Sequence, residues 1–105
     1  MSYPKTIKKS LLLRQLGGPR KVQNLQSPRS YRDVPNQFDI ECENGIAFQS
    51  YRTLIAVRMN GYLYLTRDHD CSNTTSKYAT EWTGYNTKER RAGLESGKFI
   101  LIEED

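Results

Sequence analysis

Histidine occurs once in this chain, at His69, and cysteine twice, at Cys42 and Cys71, so side chains that hold transition metals or act as nucleophiles are scarce. A structural zinc site normally takes four ligands, and here a carboxylate would have to complete the set. No apolar run approaches the roughly 18 residues of a membrane span. Leu11-Leu12-Leu13 is too short for the apolar stretch of a secretory signal, which gives the expectation of a cytosolic chain. Two cysteines in that compartment are expected to be free thiols.

Negative charge is also scarce at the start. Residues 1–36 hold a single acid, Asp33, against eight basic residues (Lys5, Lys8, Lys9, Arg14, Arg20, Lys21, Arg29 and Arg32), a net +7. Residues 37–105 hold eight basic and eleven acidic residues, a net −3. A step of this kind separates an interaction arm from a folded body. The expected organisation is therefore a basic, partly extended segment over 1–36 and a globular domain over 37–105. A partner for the arm is expected to be polyanionic: nucleic acid, nucleotide phosphates or an acidic protein surface.

At 105 residues the chain can bury roughly two-thirds of its unfolded surface in one modest core. Ile7, Leu11, Leu12 and Leu16 predict two or three helical turns ended by Gly17-Gly18-Pro19. Ser27-Pro28 and Val34-Pro35 disfavour helix, and 17–36 reads as extended loop along the body. From residue 37 the pattern is that of strands. Phe38, Ile40 and Cys42 alternate with acids, Asn44-Gly45 turns the chain, and Ile46–Ser50 returns. Thr53–Met59 and Tyr62–Arg67 flank Asn60-Gly61, the strongest short hairpin signal because both turn residues need positive φ.

That hairpin register pairs Met59 with Tyr62, Val57 with Tyr64 and Ile55 with Thr66 on one face, leaving Leu54, Ala56 and Arg58 on the other. Both faces are apolar, so the hairpin is expected to be central and covered on both sides. Tyr78, Trp82 and Tyr85 make the stripe of a short helix. Asn86-Thr87-Lys88-Glu89 has the form of a capping box for a second helix, stopping at Gly97. Lys98–Ile102 closes as a strand. The expected fold is α+β: a small antiparallel sheet of about five strands with two short helices on one face, plus the basic N-terminal segment.

Asp68-His69-Asp70-Cys71-Ser72-Asn73-Thr74-Thr75-Ser76-Lys77-Tyr78 concentrates the chain's reactive side chains. Asp68, Asp70 and Ser72 match the first three oxygen positions of a calcium loop, but Asn73 replaces the glycine and Ala79 the bidentate glutamate. His69 and Cys71 lack the orienting group and cleft of a working thiolate. Asp, Ser, Asn and Thr favour turns and helix starts, so the segment reads as a polar strand-to-helix connector. No glycine-rich phosphate loop is present, and Lys88, Arg90 and Arg91 read as a solvated helix face. The expectation is a non-enzymatic chain with no metal and no cofactor.

Tyrosine is abundant, with seven residues. Tyr62, Tyr64, Tyr78 and Tyr85 fit core or half-buried positions, while Tyr3, Tyr31 and Tyr51 fall among cations. Aromatics interleaved with cations suit stacking on bases and neutralising phosphates. The expected partner-binding residues are Lys5, Lys8, Lys9, Arg14, Arg20, Lys21, Arg29, Tyr31, Arg32, Tyr51 and Arg52.

Several blocks occur in a fixed order: Phe48-Gln49-Ser50-Tyr51, Leu54-Ile55-Ala56, Gly61-Tyr62-Leu63-Tyr64-Leu65, Asp70 to Tyr78, and Glu95-Ser96-Gly97-Lys98-Phe99. In these the chain resembles a family of small, uncharacterised proteins of tailed bacteriophages, over roughly residues 38–102. The family pattern has Asp-Tyr-Ser where this chain has Asp70-Cys71-Ser72, which argues against a ligating or nucleophilic role for Cys71. It has Phe-Leu-Gly where this chain has Trp82-Thr83-Gly84. The family brings no established activity. The resemblance implies an accessory protein in the host cytoplasm, acting by stoichiometric binding on a host protein or a protein–nucleic acid complex of antiviral defence, as an anti-CRISPR does. The alternatives are direct nucleic-acid binding and capture of a nucleotide signal.

Overall fold

A computed structural model describes residues 3–27 and 29–105, so Pro28 lies outside the described residues. The elements are β1 (Thr6–Lys8), α1 (Lys9–Leu16), β2 (Pro19–Gln26), β3 (Asp33–Cys42), β4 (Ile46–Ser50), β5 (Thr53–Met59), β6 (Tyr62–Thr66), a 3₁₀ turn (Arg67–Asp70), α2 (Asn73–Thr83), α3 (Thr87–Ser96) and β7 (Ile100–Glu103). The strands form one sheet in the order β1-β7-β6-β5-β4-β3-β2.

The α+β class is as expected, but the sheet has seven strands rather than five and is mixed rather than antiparallel. Strands β2 to β6 form an antiparallel meander, and β7 inserts parallel between β6 and β1. The cause is the connection: α2 and α3 carry the chain back across the sheet after β6, so β7 enters in the same direction as β6. The two extra strands come from the segment ahead of residue 37. Its first part forms β1 and the expected helix, whose end is Gly17 at φ 83°, with the Gly17 N–H donating to the Leu13 carbonyl. The stretch read as loop forms β2, an edge strand on β3.

The helices occupy both faces, not one. On one side α2 and α3, the latter through Leu94, cover Phe48, Ile55, Ala56, Leu63, Leu65 and Leu101. On the other, Leu12 and Leu16 of α1 pack on Ala47, Val57, Met59, Tyr64 and Ile102. The central hairpin is thus covered on both sides, and its register pairs Met59 with Tyr62 and Val57 with Tyr64. Asn60 at φ 55° and Gly61 at φ 80° supply its turn. The expected partition of β5 fails at its start. A register shift against β4 after Phe48 makes Leu54 rather than Ile55 the partner facing Gln49. Ile55 therefore joins the α2–α3 core and Leu54 the α1 core; a bulge moves a side chain to the other face in this way. Tyr62, expected to be at least half-buried, is exposed.

Ser72 caps α2, accepting from the Thr75 N–H, and Gly84 ends it in the left-handed conformation. Tyr85 consequently lies beyond α2, not on its stripe, with its ring 4.9 Å from that of Phe99. The Asn86–Glu89 capping box forms in full and Gly97 closes α3. Gly93 lets α3 settle on Phe99, since a Cβ there would collide with the ring.

Candidate functional site

The polar connector between β6 and α2 is tied into the fold through one residue read as solvated. Arg90 is completely buried. Its guanidinium donates from Nε to His69 Nδ1 (3.0 Å), from Nη1 to Thr80 Oγ1 (2.9 Å) and the Tyr85 carbonyl (2.6 Å), and from Nη2 to Ser76 Oγ, Thr87 Oγ1 and the His69 carbonyl. All six acceptors are neutral. Asp70 instead pairs with Arg91 on the surface, and Thr75 bonds Ser50 on β4 at 2.9 Å. The segment that concentrated the reactive residue types is a clamp joining the 3₁₀ turn, α2 and α3. Among the described residues no three His, Cys, Asp or Glu side chains are grouped as metal ligands. Cys42 and Cys71 are free thiols.

The clamp carries a pH dependence. Accepting from Arg90 makes the His69 imidazole neutral, with its proton on Nε2. Burial lowers its pKa; Asp70 and Asp68 oppose this, while Arg90 and Arg91 add to the lowering. A depressed histidine pKa means that the unfolded chain binds the proton more readily. The His69 contribution is therefore whole above the unfolded value near 6.5 and declines as pH falls below it. Stability measured by urea denaturation is expected to drop between pH 7 and 5, and His69→Gln to flatten that slope. An unchanged slope in the variant would refute the assignment.

The structure separates the expected partner-binding residues into groups. Lys5 lies against Gly97 at the end of α3. Lys8 ends β1 opposite Glu103, and Lys9 starts α1 in an ion pair with Glu104 at 3.6 Å. Ser10 is bonded to Asp105, so carboxylates of the β7 end offset the cations beside them. Arg14 is exposed in the last turn of α1. Arg20 and Lys21 lie on the far edge strand, Lys21 facing Glu41.

The remaining five, Arg29, Tyr31, Arg32, Tyr51 and Arg52, fall at one end of the sheet, with Tyr31 bordering the α2 face and Arg52 the α1 face. The β2–β3 and β4–β5 connections both lie there, and the Tyr51 N–H of the second donates to the Asn36 carbonyl within β3 at 2.6 Å. Each presents a Tyr-Arg pair. Tyr31 is 76% exposed and Tyr51 54%, and both have φ 56°. Left-handed backbone at a bulky residue costs on the order of 1–3 kcal/mol and concentrates at functional sites. Tyr31 also walls a cleft of about 500 Å³ with Leu25, Tyr78 and Trp82. In it Asp39 accepts from Trp82 Nε1 at 2.8 Å. The sequence showed aromatics beside cations but not their shared conformation, which depends on how two hairpins end.

On the α1 face, the helix covers the middle of the sheet and leaves a second hollow of about 430 Å³ beside β3 and β4. Its floor is aliphatic, and Lys9 and Arg52 stand at one end.

Neither the curated proteins nor the solved structures contain a match to this chain. A family model does match, over residues 20–100, the stretch from β2 to the start of β7. The chain belongs to DUF8033, a family of unknown function.

Proposed function

We propose that the protein acts by stoichiometric binding to a host target, as a small phage accessory protein, and that the twin Tyr-Arg turns form its contact surface. The observation that carries this reading is the pair of exposed, left-handed tyrosines, Tyr31 and Tyr51, each followed by an arginine at the same end of the sheet. Tyr and Arg dominate binding hot spots because each covers large area and bonds at its tip. Arg29, Arg32 and Arg52 suit a target with anionic groups, such as a nucleoprotein complex of antiviral defence. The same turns favour a second reading, direct binding of single-stranded nucleic acid by stacking and phosphate neutralisation.

Tyr31→Gly and Tyr51→Gly test both readings. Glycine adopts positive φ without strain, so each variant is expected to keep its stability within about 1 kcal/mol. Capture of the target from host lysate by the tagged protein is expected to weaken about tenfold or more. Nuclease treatment separates the readings: capture that survives it, with a fixed stoichiometry in light scattering, supports a protein target. Loss on nuclease, with oligonucleotide affinity falling steeply with salt, supports the second reading. Glycine variants that capture and bind as the parent does would refute both.

A further inference from the structure

We infer that the hollow on the α1 face is a binding site for a small amphipathic anion, an unbranched acyl carboxylate of about ten carbons. The inference rests on the hollow rather than on the contact surface proposed above, and Arg52 alone belongs to both. The hollow encloses about 430 Å³, inside the range of roughly 300–1,000 Å³ of small-molecule sites. Leu13 and Leu16 of α1 form one wall; Ile40, Ala47 and Leu54 of the sheet form the floor. Among the described residues no aromatic ring lines it, which favours an alkyl chain over a base or a planar ring. Leu13 is 42% exposed and Val22, beside Ile40 in the sheet, 58% exposed. The apolar surface is thus open to an occupant from solvent.

Charge gives the occupant a direction. Lys9, at the start of α1 and already paired with Glu104, and Arg52, in the β4–β5 turn, stand at one end. Neither of the ion pairs among the described residues involves Arg52, so its guanidinium is available for a bidentate carboxylate. Beyond the opposite end, beside Gly17, lies the carboxylate of Glu43, which accepts from the Gly18 N–H at 3.1 Å. An anionic head therefore fits at the Lys9–Arg52 end, held there by Arg52, with the tail running toward Gly17. Those ends of α1 lie roughly 12 Å apart at 1.5 Å per residue, the reach of an alkyl chain of about ten carbons.

The test is calorimetric titration of the whole protein with hexanoate, octanoate, decanoate and the neutral decanol. Decanoate is expected to bind one to one, each methylene removed to weaken binding about two- to fourfold, and decanol to bind at least several-fold more weakly. Arg52→Gln should erase the preference for the charged head and leave decanol binding unchanged. Leu13→Asp, at a half-exposed position, should abolish binding of both while circular dichroism and melting stay as in the parent. A readout needing no variant comes from the thiols. Cys42 lines the hollow and Cys71 is exposed elsewhere, so decanoate should slow iodoacetamide alkylation of Cys42 and leave Cys71 unaffected. Absence of saturable binding, or binding indifferent to chain length, would overturn the inference. So would a concentration-dependent dimer that Leu13→Asp dissolves and decanoate does not, which would assign the face to a second copy.

Discussion

Replacing Arg90 with alanine is expected to destabilise the fold by about 3–5 kcal/mol, the cost of emptying a buried site and leaving several hydrogen-bond acceptors without a donor. The five N–H groups of its guanidinium reach six acceptors, with Nη2 shared among three, in the 3₁₀ turn, α2, the α2–α3 connection and α3. Removing it leaves the His69 and Tyr85 carbonyls and His69 Nδ1 facing a void, and buried acceptors without donors cost about 1–3 kcal/mol each before any relaxation. Arg90→Lys should recover only part of the loss, because one ammonium cannot span acceptors arranged around a planar fork. Domains of this class hold about 5–15 kcal/mol in total. Urea denaturation at a constant m-value checks the size of the effect. A loss below about 1 kcal/mol for Arg90→Ala would show that the clamp is redundant.

The second large effect is expected at Phe48. Its ring is fully buried and stacks on Trp82 with centroids 5.9 Å apart and planes at 23°. Arg58 lies over the same indole at 5.4 Å and donates to the Thr83 carbonyl at the end of α2. Phe48→Ala removes the support beneath α2 and leaves a cavity, at a cost of about 3–5 kcal/mol. Phe48→Leu, which refills most of the volume, should cost about 1–2 kcal/mol. Trp82 is the only tryptophan, so its fluorescence reports the site directly. The alanine variant should show red-shifted native emission as well as a lower denaturation midpoint. Unshifted native emission would mean that α2 holds Trp82 without the stack.

Local grammar carried the parts of this fold that depend on adjacent residues. The Asn60-Gly61 turn fixed the hairpin register, and Asn86 with Glu89 fixed the start of α3, because each device is complete within four residues. The polar edge strand β2 was not legible. Only Leu25 of that strand packs against a core, so no alternation betrays it. The direction of β7 was not legible either, because an apolar run pairs equally well with either neighbour until the helices set its point of entry. Arg90 was missed because its acceptors come from four separate positions in sequence, His69, Ser76–Thr80, Tyr85 and Thr87. A cation on a short helix is solvated in most chains, and only the assembled helices exclude water from this one. Of the expected binding residues, proximity in sequence named Arg29, Tyr31, Arg32, Tyr51 and Arg52, whose two turns lie at the same end of the sheet. It also included Arg20 and Lys21, which the sheet carries to the opposite end.

The placement of β7 between β6 and β1 has a kinetic consequence. Thr6 pairs beside Leu101, and Leu101 beside Leu65, so one edge of the sheet is completed only by β7, which follows the other six strands in the sequence. Until then β6 is an uncovered margin bearing Leu63 and Leu65, and β1 has no neighbour at all. Pairings across such sequence separations form slowly, and an apolar strand margin recruits other chains while it waits. The emerging polypeptide is therefore most vulnerable to misassociation just before β7 leaves the ribosome, and its yield should depend on how quickly that strand is delivered.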